Sequence, residues 1–181
     1  MTDELLPAET HVGRVALAVG DLDATLGFYR DVVGLRVHDE RDATATLGDG
    51  TTPLLSLRER PDAQPRGAAA AGLFHIAVRV PSRAALGDAL ERIDEEWRLD
   101  GASDHRVSEA LYLSDPEGNG VEIYRDRPRS EWPVDDDGQV AMATLPLPTD
   151  ELAAAGDGRD RLPEGTAVGH GALAAAEPAA A

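Results

Sequence analysis

The stretch VALAVGDLDATLGFYRDVVGL at residues 15–35 describes one strand followed by one helix. Its first five residues alternate between larger and smaller apolar side chains, which is typical of a strand. Asp21 then stands where a helix N-cap is expected, and apolar residues recur at helical spacing from Leu22 to Val33. Gly34 occupies the position of a helix-stopping glycine. The stretch therefore predicts a strand–helix unit.

Three further strands are predicted after this helix. They read LRVHDE at 35–40, ATATLGDG at 43–50 and PLLSLRE at 53–59, with turn residues between them. The order of elements in the first unit is therefore β-α-β-β-β.

The same order then begins again. After a segment rich in Pro, Gly and Ala at 61–72, a strand is predicted at 73–80 and a helix with Ser82 as its N-cap. Trp97 and Leu99 then lead into a further strand region, and two clear strands follow at 110–115 and 120–126, joined by a tight turn.

The two units also match in sequence. VALAVGDLDATL (15–26) aligns with IAVRVPSRAALG (76–87), and LLSLRER (54–60) aligns with VEIYRDR (121–127). Matches in the same order at nearly constant spacing indicate an internal repeat. We expect an α+β protein built from two tandem βαβββ modules.

This repeat divides the chain into five segments. We predict an N-terminal arm (1–10), a first module (11–60), a linker (61–72), a second module (73–127) and an extension (128–181). The extension is acidic and rich in Ala, with few large apolar side chains, so we expect a tail of low order.

The composition limits the classes of partner. The chain has 34 acidic and 17 basic residues, a net charge of -17, and every basic residue is Arg. Such an acidic chain is repelled by nucleic acid and by anionic membranes, and it resembles halophilic proteins in composition. It has no Cys, signal peptide pattern or apolar run long enough to span a membrane. We therefore expect a cytoplasmic protein.

His75 and Glu122 stand out within the second unit. Each interrupts an apolar strand, and alternation along the strands places both on one sheet face if the first and last strands are neighbours. Imidazole and carboxylate are suitable ligands for Fe(II), Mn(II), Zn(II) or Ni(II). A strand histidine and an exposed glutamate without a metal remain the alternative.

Two stretches carry a family resemblance. Residues 15–35 and the segment SDPEGNGVEIY at 114–124 resemble the opening and closing motifs of the vicinal oxygen chelate superfamily. This superfamily includes glyoxalase I, extradiol ring-cleaving dioxygenases and bleomycin-binding proteins. The resemblance, which covers 11–127, implies paired modules with a mixed sheet curled around a cleft. It also implies a small-molecule substrate and a homodimer.

A longer segment resembles one particular group within this superfamily. DHRVSEALYLSDPEGNGVEIY at 104–124 resembles the last module of catechol 2,3-dioxygenase-type proteins. The resemblance implies Fe(II), a catechol substrate, and His105 and Tyr112 as catalytic residues beside the metal. The alternatives are a loop histidine and a sheet aromatic residue without a catalytic role.

One position departs from the family pattern. Ring-cleaving members use two His and one carboxylate, and the resemblance places the second His in the first strand of unit one, where this chain has Arg14. A guanidinium does not ligate metal, so we expect an incomplete ligand set. The segment LPEGTAVGH at 162–170 resembles the start of a third unit, but the residues after His170 have no strand pattern. We therefore expect the chain to correspond to the first half of a longer enzyme.

Three functions remain open from the sequence. The first is extradiol ring cleavage with His75 and Glu122 as ligands. The second is a glyoxalase-type lyase or isomerase in which Glu122 also transfers a proton. The third is a metal-free module that binds a small molecule.

Overall fold

The computed structural model describes residues 10–62 and 72–174. Its strands are β1 (Val15–Val19), β2 (Arg36–Arg41), β3 (Thr44–Gly48), β4 (Pro53–Glu59), β5 (Gly72–Arg79), β6 (Gly101–Asp104), β7 (Ser108–Ser114), β8 (Gly120–Asp126), β9 (Leu145–Pro146) and β10 (Ala167–Ala174). Its helices are α1 (Leu22–Gly27), α2 (Arg83–Glu96) and α3 (Thr149–Ala153). A π-helical turn (Phe28–Val32) continues α1, and a 3-10 turn (Arg129–Glu131) follows β8. None of the helices in the described ranges is long and apolar enough to cross a membrane.

Two mixed sheets repeat one topology. The first has the order β1-β4-β3-β2, with β1 parallel to β4. The second contains the same arrangement as β5-β8-β7-β6, with β5 parallel to β8, and adds β10 at one edge and β9 at the other. The predicted α+β class and the repeat are confirmed, although the sheets do not close into a barrel.

The helix boundaries follow the local signals in the sequence. Asp21 Oδ1 accepts a hydrogen bond from Ala24 N at 2.9 Å, and Ser82 Oγ accepts one from Ala85 N at 3.1 Å. Both predicted N-caps are therefore confirmed. Gly34 has a φ of +90°, a conformation that glycine adopts without strain and that ends the helical segment.

The core lies where the helices cover one face of each sheet. Tyr29 and Leu26 contribute from the first helical segment, and Leu86, Leu90 and Ile93 contribute from α2. Each such side chain stabilises the fold by about 1.5–3 kcal/mol when it leaves water. Because this core occupies the helix-covered face of the second sheet, that sheet's other face is available for a site.

Hydrogen bonds join the two units at the turn between β7 and β8. The buried Tyr29 hydroxyl donates to Asp115 Oδ2 at 3.1 Å. Glu117 Oε1 accepts hydrogen bonds from the backbone N–H groups of Gly20 and Asp21 at 2.9 and 3.1 Å. The turn that ends the repeat motif is therefore also a contact between modules.

The extension differs from the expectation of low order. Within 128–174, β9 pairs with β6, β10 pairs with β5, and the buried Leu152 and Leu162 join the core. Composition did not predict this order because it depends on pairing with a distant strand edge and on two isolated leucines. Residues 175–181, and most of the predicted arm and linker, lie outside the described residues.

Candidate metal centre

Three neighbouring strands in the order β10-β5-β8 place three ligand-type side chains on one face. Glu122 on β8 is paired with Ala77 on β5, and His170 on β10 is paired with the same Ala77. Paired residues share a sheet face, and so do residues two apart in one strand. His75, two residues before Ala77, therefore faces the same side as His170 and Glu122.

The three side chains meet at close range. The two Nε2 atoms of His75 and His170 are 3.0 Å apart, and each lies 3.3 Å from Glu122 Oε2. Ligands bonded at about 2.1 Å and at right angles around one metal lie about 3 Å from one another. The three separations therefore match the spacing of ligands on one face of a coordination polyhedron. A hydrogen bond between the two rings would account for only one of them.

Burial favours the ligating form of His75. Glu122 is 7% exposed, whereas the His170 side chain is about half exposed, at 48%. Burial lowers the pKa of His75, against the opposing attraction of Glu122, and His170 lowers it further. The His75 imidazole is therefore neutral near pH 7, with a nitrogen lone pair free for a metal, so its contact with Glu122 is not an ion pair.

The second oxygen of Glu122 contacts Tyr112, which in turn contacts His105, and the family resemblance implied a catalytic role for both residues. The Tyr112 hydroxyl lies 3.3 Å from Glu122 Oε1 and 2.9 Å from His105 Nε2. Burial, and then the Glu122 charge, raises the pKa of Tyr112 to about 12, so the phenol keeps its proton. Tyr112 is therefore a neutral donor placed between a carboxylate and an imidazole.

The tautomer of His105 follows from its other contact. His105 Nδ1 lies 3.0 Å from the carbonyl oxygen of Ala143, which only accepts, so Nδ1 carries a proton. In the neutral ring Nε2 then accepts from Tyr112. When His105 gains a second proton, Nε2–H donates to the Tyr112 oxygen and the phenolic O–H turns to Glu122. The protonation of His105 therefore determines whether the Tyr112 hydroxyl donates to His105 or to Glu122.

A cavity of about 270 Å³ adjoins this group of residues. His75 and Tyr112 line it, together with Phe74, Leu113, Val121 and Asp100. The Asp100 carboxylate accepts from Ser114 Oγ at 2.8 Å and from the exposed Arg98 at 2.9 Å. The cavity has the apolar walls and few polar groups that are typical of small-molecule sites.

The structure brings together all four residues that the sequence singled out, His75, Glu122, His105 and Tyr112. It also supplies a third ligand-type residue, His170, where we expected an incomplete set. Arg14 is exposed and precedes β1, which belongs to the other sheet. In the second sheet, the edge position beside β5 is occupied by β10, which carries His170.

A sequence signal for His170 exists. VGRVALA at 12–18 and VGHGALA at 168–174 share five of seven residues, and Arg14 aligns with His170. This third occurrence of the first-strand motif puts a histidine at the position where the first occurrence has arginine. The lack of large apolar residues after His170 concealed the strand.

Comparisons with known proteins identify the family. The sequence profile of the Glyoxalase/Bleomycin resistance protein/Dioxygenase superfamily matches residues 11–123. The chain belongs to this superfamily. A catechol-2,3-dioxygenase of Bacillus subtilis (strain 168) is 44% identical over 167 residues, which cover 90% of this superfamily member and 58% of that relative. The chain thus spans less than two thirds of the relative's length.

Solved structures show the superfamily fold. A glyoxalase/dioxygenase from Nostoc punctiforme has a TM-score of 0.58 and 22% identity, covering 71% of this chain and 99% of its own. The cppA protein from Streptococcus pneumoniae TIGR4 has a TM-score of 0.54 and 14% identity, covering 87% of this chain and 57% of its own. At these identities the likeness concerns the fold alone.

Proposed function

We propose that this chain binds a divalent metal, Fe(II), through His75, Glu122 and His170, and cleaves a catechol ring beside its two hydroxyl groups. The observation that carries the proposal is the set of three ligand separations, 3.0, 3.3 and 3.3 Å. Two His and one carboxylate on a single face are the donor set of non-haem Fe(II) oxygenases. The identity of 44% to a catechol-2,3-dioxygenase supports the same reaction class.

The residues present fit such a metal. Two imidazoles and one carboxylate offer one negative charge and three lone pairs. Because the three protein ligands lie on one face, the other coordination positions of a bound metal would stay open to substrate and O₂. Bound Fe(II) would supply a site where both catechol oxygens and O₂ bind together and exchange electrons. The overall reaction is balanced without another reductant, because catechol supplies the electrons and both oxygen atoms of O₂ enter the ring-opened product.

The chain's own residues would orient the substrate and move protons. A catechol loses protons on binding a metal through both oxygens, and His105 is the nearby base, whose Nε2 accepts a hydrogen bond from the Tyr112 hydroxyl in the neutral ring. Tyr112, kept neutral by its raised pKa, donates a hydrogen bond to an oxygen that gains negative charge. The exposed Phe74 side chain lines the adjoining cavity, its ring centroid 5.4 Å from that of His75, and would offer an apolar surface to the substrate ring.

The test begins with the metal. Purified apo-protein is loaded anaerobically with Fe(II), the bound metal is measured, and catechol and air are added. We expect one Fe per chain and a yellow ring-opened product with one O₂ consumed per catechol. No uptake of Fe(II), Mn(II), Zn(II) or Ni(II) would overturn the metal centre and favour the metal-free binding module. Metal uptake without ring cleavage would overturn the reaction, and assay with a glutathione hemithioacetal would then test the lyase class.

The homodimer implied by the resemblance stays a prediction. The three ligand-type residues come from one chain, so the site as described requires no residue from a second copy. Light scattering coupled to size exclusion measures the oligomeric state directly, and it does so independently of the metal.

A further inference from the structure

An irregularity in β10 determines the side on which His170 lies. In the antiparallel ladder with β5, Val168 pairs with Val78 and His170 pairs with Ala77, so Gly169 is an extra residue without a partner. Regular pairing after Val168 would instead oppose His170 to Ile76. Val78 and Ile76 both point into the core, whereas Ala77 shares its face with His75.

The bulge therefore allows two nearby residues of β10 to point to opposite faces of the sheet. Val168 is buried in the core at 6% exposure, and His170, only two residues later, faces the ligand side. Residues two apart in a regular strand share a face. One extra residue reverses that relationship and bends the strand locally. Without it, either Val168 would leave the core or His170 would enter it.

A side chain at the bulge would displace Tyr124 from its present position. A Cβ on Gly169 would collide with the hydroxyl of Tyr124 and lie 2.7 and 2.8 Å from its ring atoms Cζ and Cε1. Gly171, the next glycine of β10, is different, because the nearest atom to its added Cβ would be 3.9 Å away. The close approach is therefore specific to position 169.

Tyr124 connects the bulge to the other ligands. It lies two residues after Glu122 on β8, so its side chain shares the ligand face. Its ring reaches past the central strand β5 to β10, where its centroid is 5.7 Å from that of the His170 ring. The phenol thus contacts both the bulged backbone and the imidazole that follows it.

We propose that Gly169 and Tyr124 are positioning residues for His170. Gly169 forms the bulge that turns His170 to the ligand face, and Tyr124 packs against that bulge and against the imidazole. The inference rests on the proposed metal centre, in which His170 is a ligand. It predicts that a single methyl group at position 169 removes a ligand that it does not itself touch.

Co(II) binding to the apo-protein tests the inference, because visible absorption reports the number and type of ligands. We expect Gly169→Ala to weaken Co(II) binding by at least about 10- to 100-fold, the effect typical of residues that orient ligands, and to approach the loss caused by His170→Ala. Its Co(II) spectrum should match that of His170→Ala. Gly171→Ala is the matched control and should bind like the wild type.

A compensating substitution separates positioning from general destabilisation. Tyr124→Leu removes the three atoms that a methyl group at 169 would meet. Because the bulge remains, Tyr124→Leu alone should keep the three-ligand Co(II) spectrum at reduced affinity. In that background, Gly169→Ala should have no further effect on Co(II) affinity or spectrum, a strong non-additivity. Thermal unfolding of each apo-protein, measured beside the titrations, reports any general destabilisation of the variants.

The outcomes distinguish the two proposals. A wild-type chain that binds no Co(II) would overturn the metal centre and this inference with it. Wild-type binding with equal binding by Gly169→Ala would overturn the positioning role alone. An equal loss from Gly169→Ala with and without Tyr124→Leu would also contradict it, because the steric contact would then be irrelevant.

Discussion

His75 Nε2 lies 3.0 Å from His170 Nε2, although 95 residues separate the two histidines along the chain. The contact arises because β10 adds to the sheet edge formed by β5. Glu122 Oε2, 3.3 Å from both nitrogens, completes the group. Substitution of any one of these side chains should therefore weaken the binding of the same metal ion.

The first prediction concerns His170. His170→Ala should lower metal affinity by more than about 100-fold, because loss of a residue that merely orients a ligand already costs 10- to 100-fold. The measurement is metal content after dialysis against a chelator. His38→Ala is the matched control, since His38 is exposed on β2 of the other sheet and should leave metal content unchanged. Equal metal retention by both variants would contradict a ligand role.

The second prediction separates metal binding from catalysis at Tyr112. Tyr112→Phe removes the hydroxyl between His105 and Glu122 but keeps the ring in the sheet. We expect the rate of ring cleavage to fall about 100- to 10,000-fold, the usual contribution of a positioned proton donor. Metal content should remain at the wild-type level. Full activity in this variant would exclude a role for the phenol.

The third prediction uses the tyrosines as pH probes. Burial, the largest cause in each case, raises the pKa of all three tyrosines, Tyr29, Tyr112 and Tyr124, above the usual value of 10. Above pH 10 the unfolded chain loses phenolic protons that the folded chain keeps, so the free energy of unfolding should fall as pH rises from 10 towards 12. Below pH 10 the full contribution is present.

Ultraviolet absorbance of tyrosinate gives the corresponding measurement. In the folded protein ionisation should lag behind that of the denatured chain, which serves as the reference. Denaturant titrations at pH 8, 10 and 11 would report the accompanying loss of stability. Three tyrosines that ionise near pH 10 in the folded protein would contradict the burial described here.

The fourth prediction concerns the stability of the second sheet. Glu109 is 3% exposed, and its carboxylate contacts Arg125 at 2.7 Å, Arg83 at 3.2 Å and Arg127 at 3.3 Å. Glu109→Ala would leave these guanidinium groups without their shared partner. We expect a loss of about 3 kcal/mol in the free energy of unfolding, as for other broken buried pairs.

A surface pair is the control for this loss. Asp39 and Arg41 are 3.0 Å apart but largely exposed, so Asp39→Ala should have little effect. Glu109 lies on the face of β7 opposite to Tyr112, three positions away. Folded Glu109→Ala should therefore retain its metal at low temperature. A stability equal to that of the wild type would show that the cluster contributes nothing.

The fifth prediction concerns the charge of the substrate. Among the described residues lining the 270 Å³ cavity, Asp100 is the only one with a full formal charge, and the chain carries a net charge of -17. Arg98 is exposed and only partly offsets the Asp100 charge, so we expect 3,4-dihydroxybenzoate to bind up to about 10-fold more weakly than catechol, equivalent to at most roughly 1.4 kcal/mol of repulsion. Asp100→Asn should reduce the difference. Equal affinities for the two compounds would exclude this charge effect.

The sequence by itself determined the repeat and much of the local structure. Asp21 and Ser82 cap their helices because a short side-chain oxygen reaches a nearby backbone N–H whatever the rest of the fold does. Strand alternation likewise placed His75 and Glu122 on one face once their strands were taken as neighbours. These are local rules, and short stretches of sequence satisfy them.

Only the tertiary structure decided the third ligand. The segment around His170 has too few large apolar residues to be recognised as a strand, and its order depends on backbone pairing with β5. Even with the strand known, its regular alternation would have turned His170 away from the other two ligands. The bulge at Gly169, packed against Tyr124, reverses that direction, and such a contact between distant residues exists only after the sheet has formed.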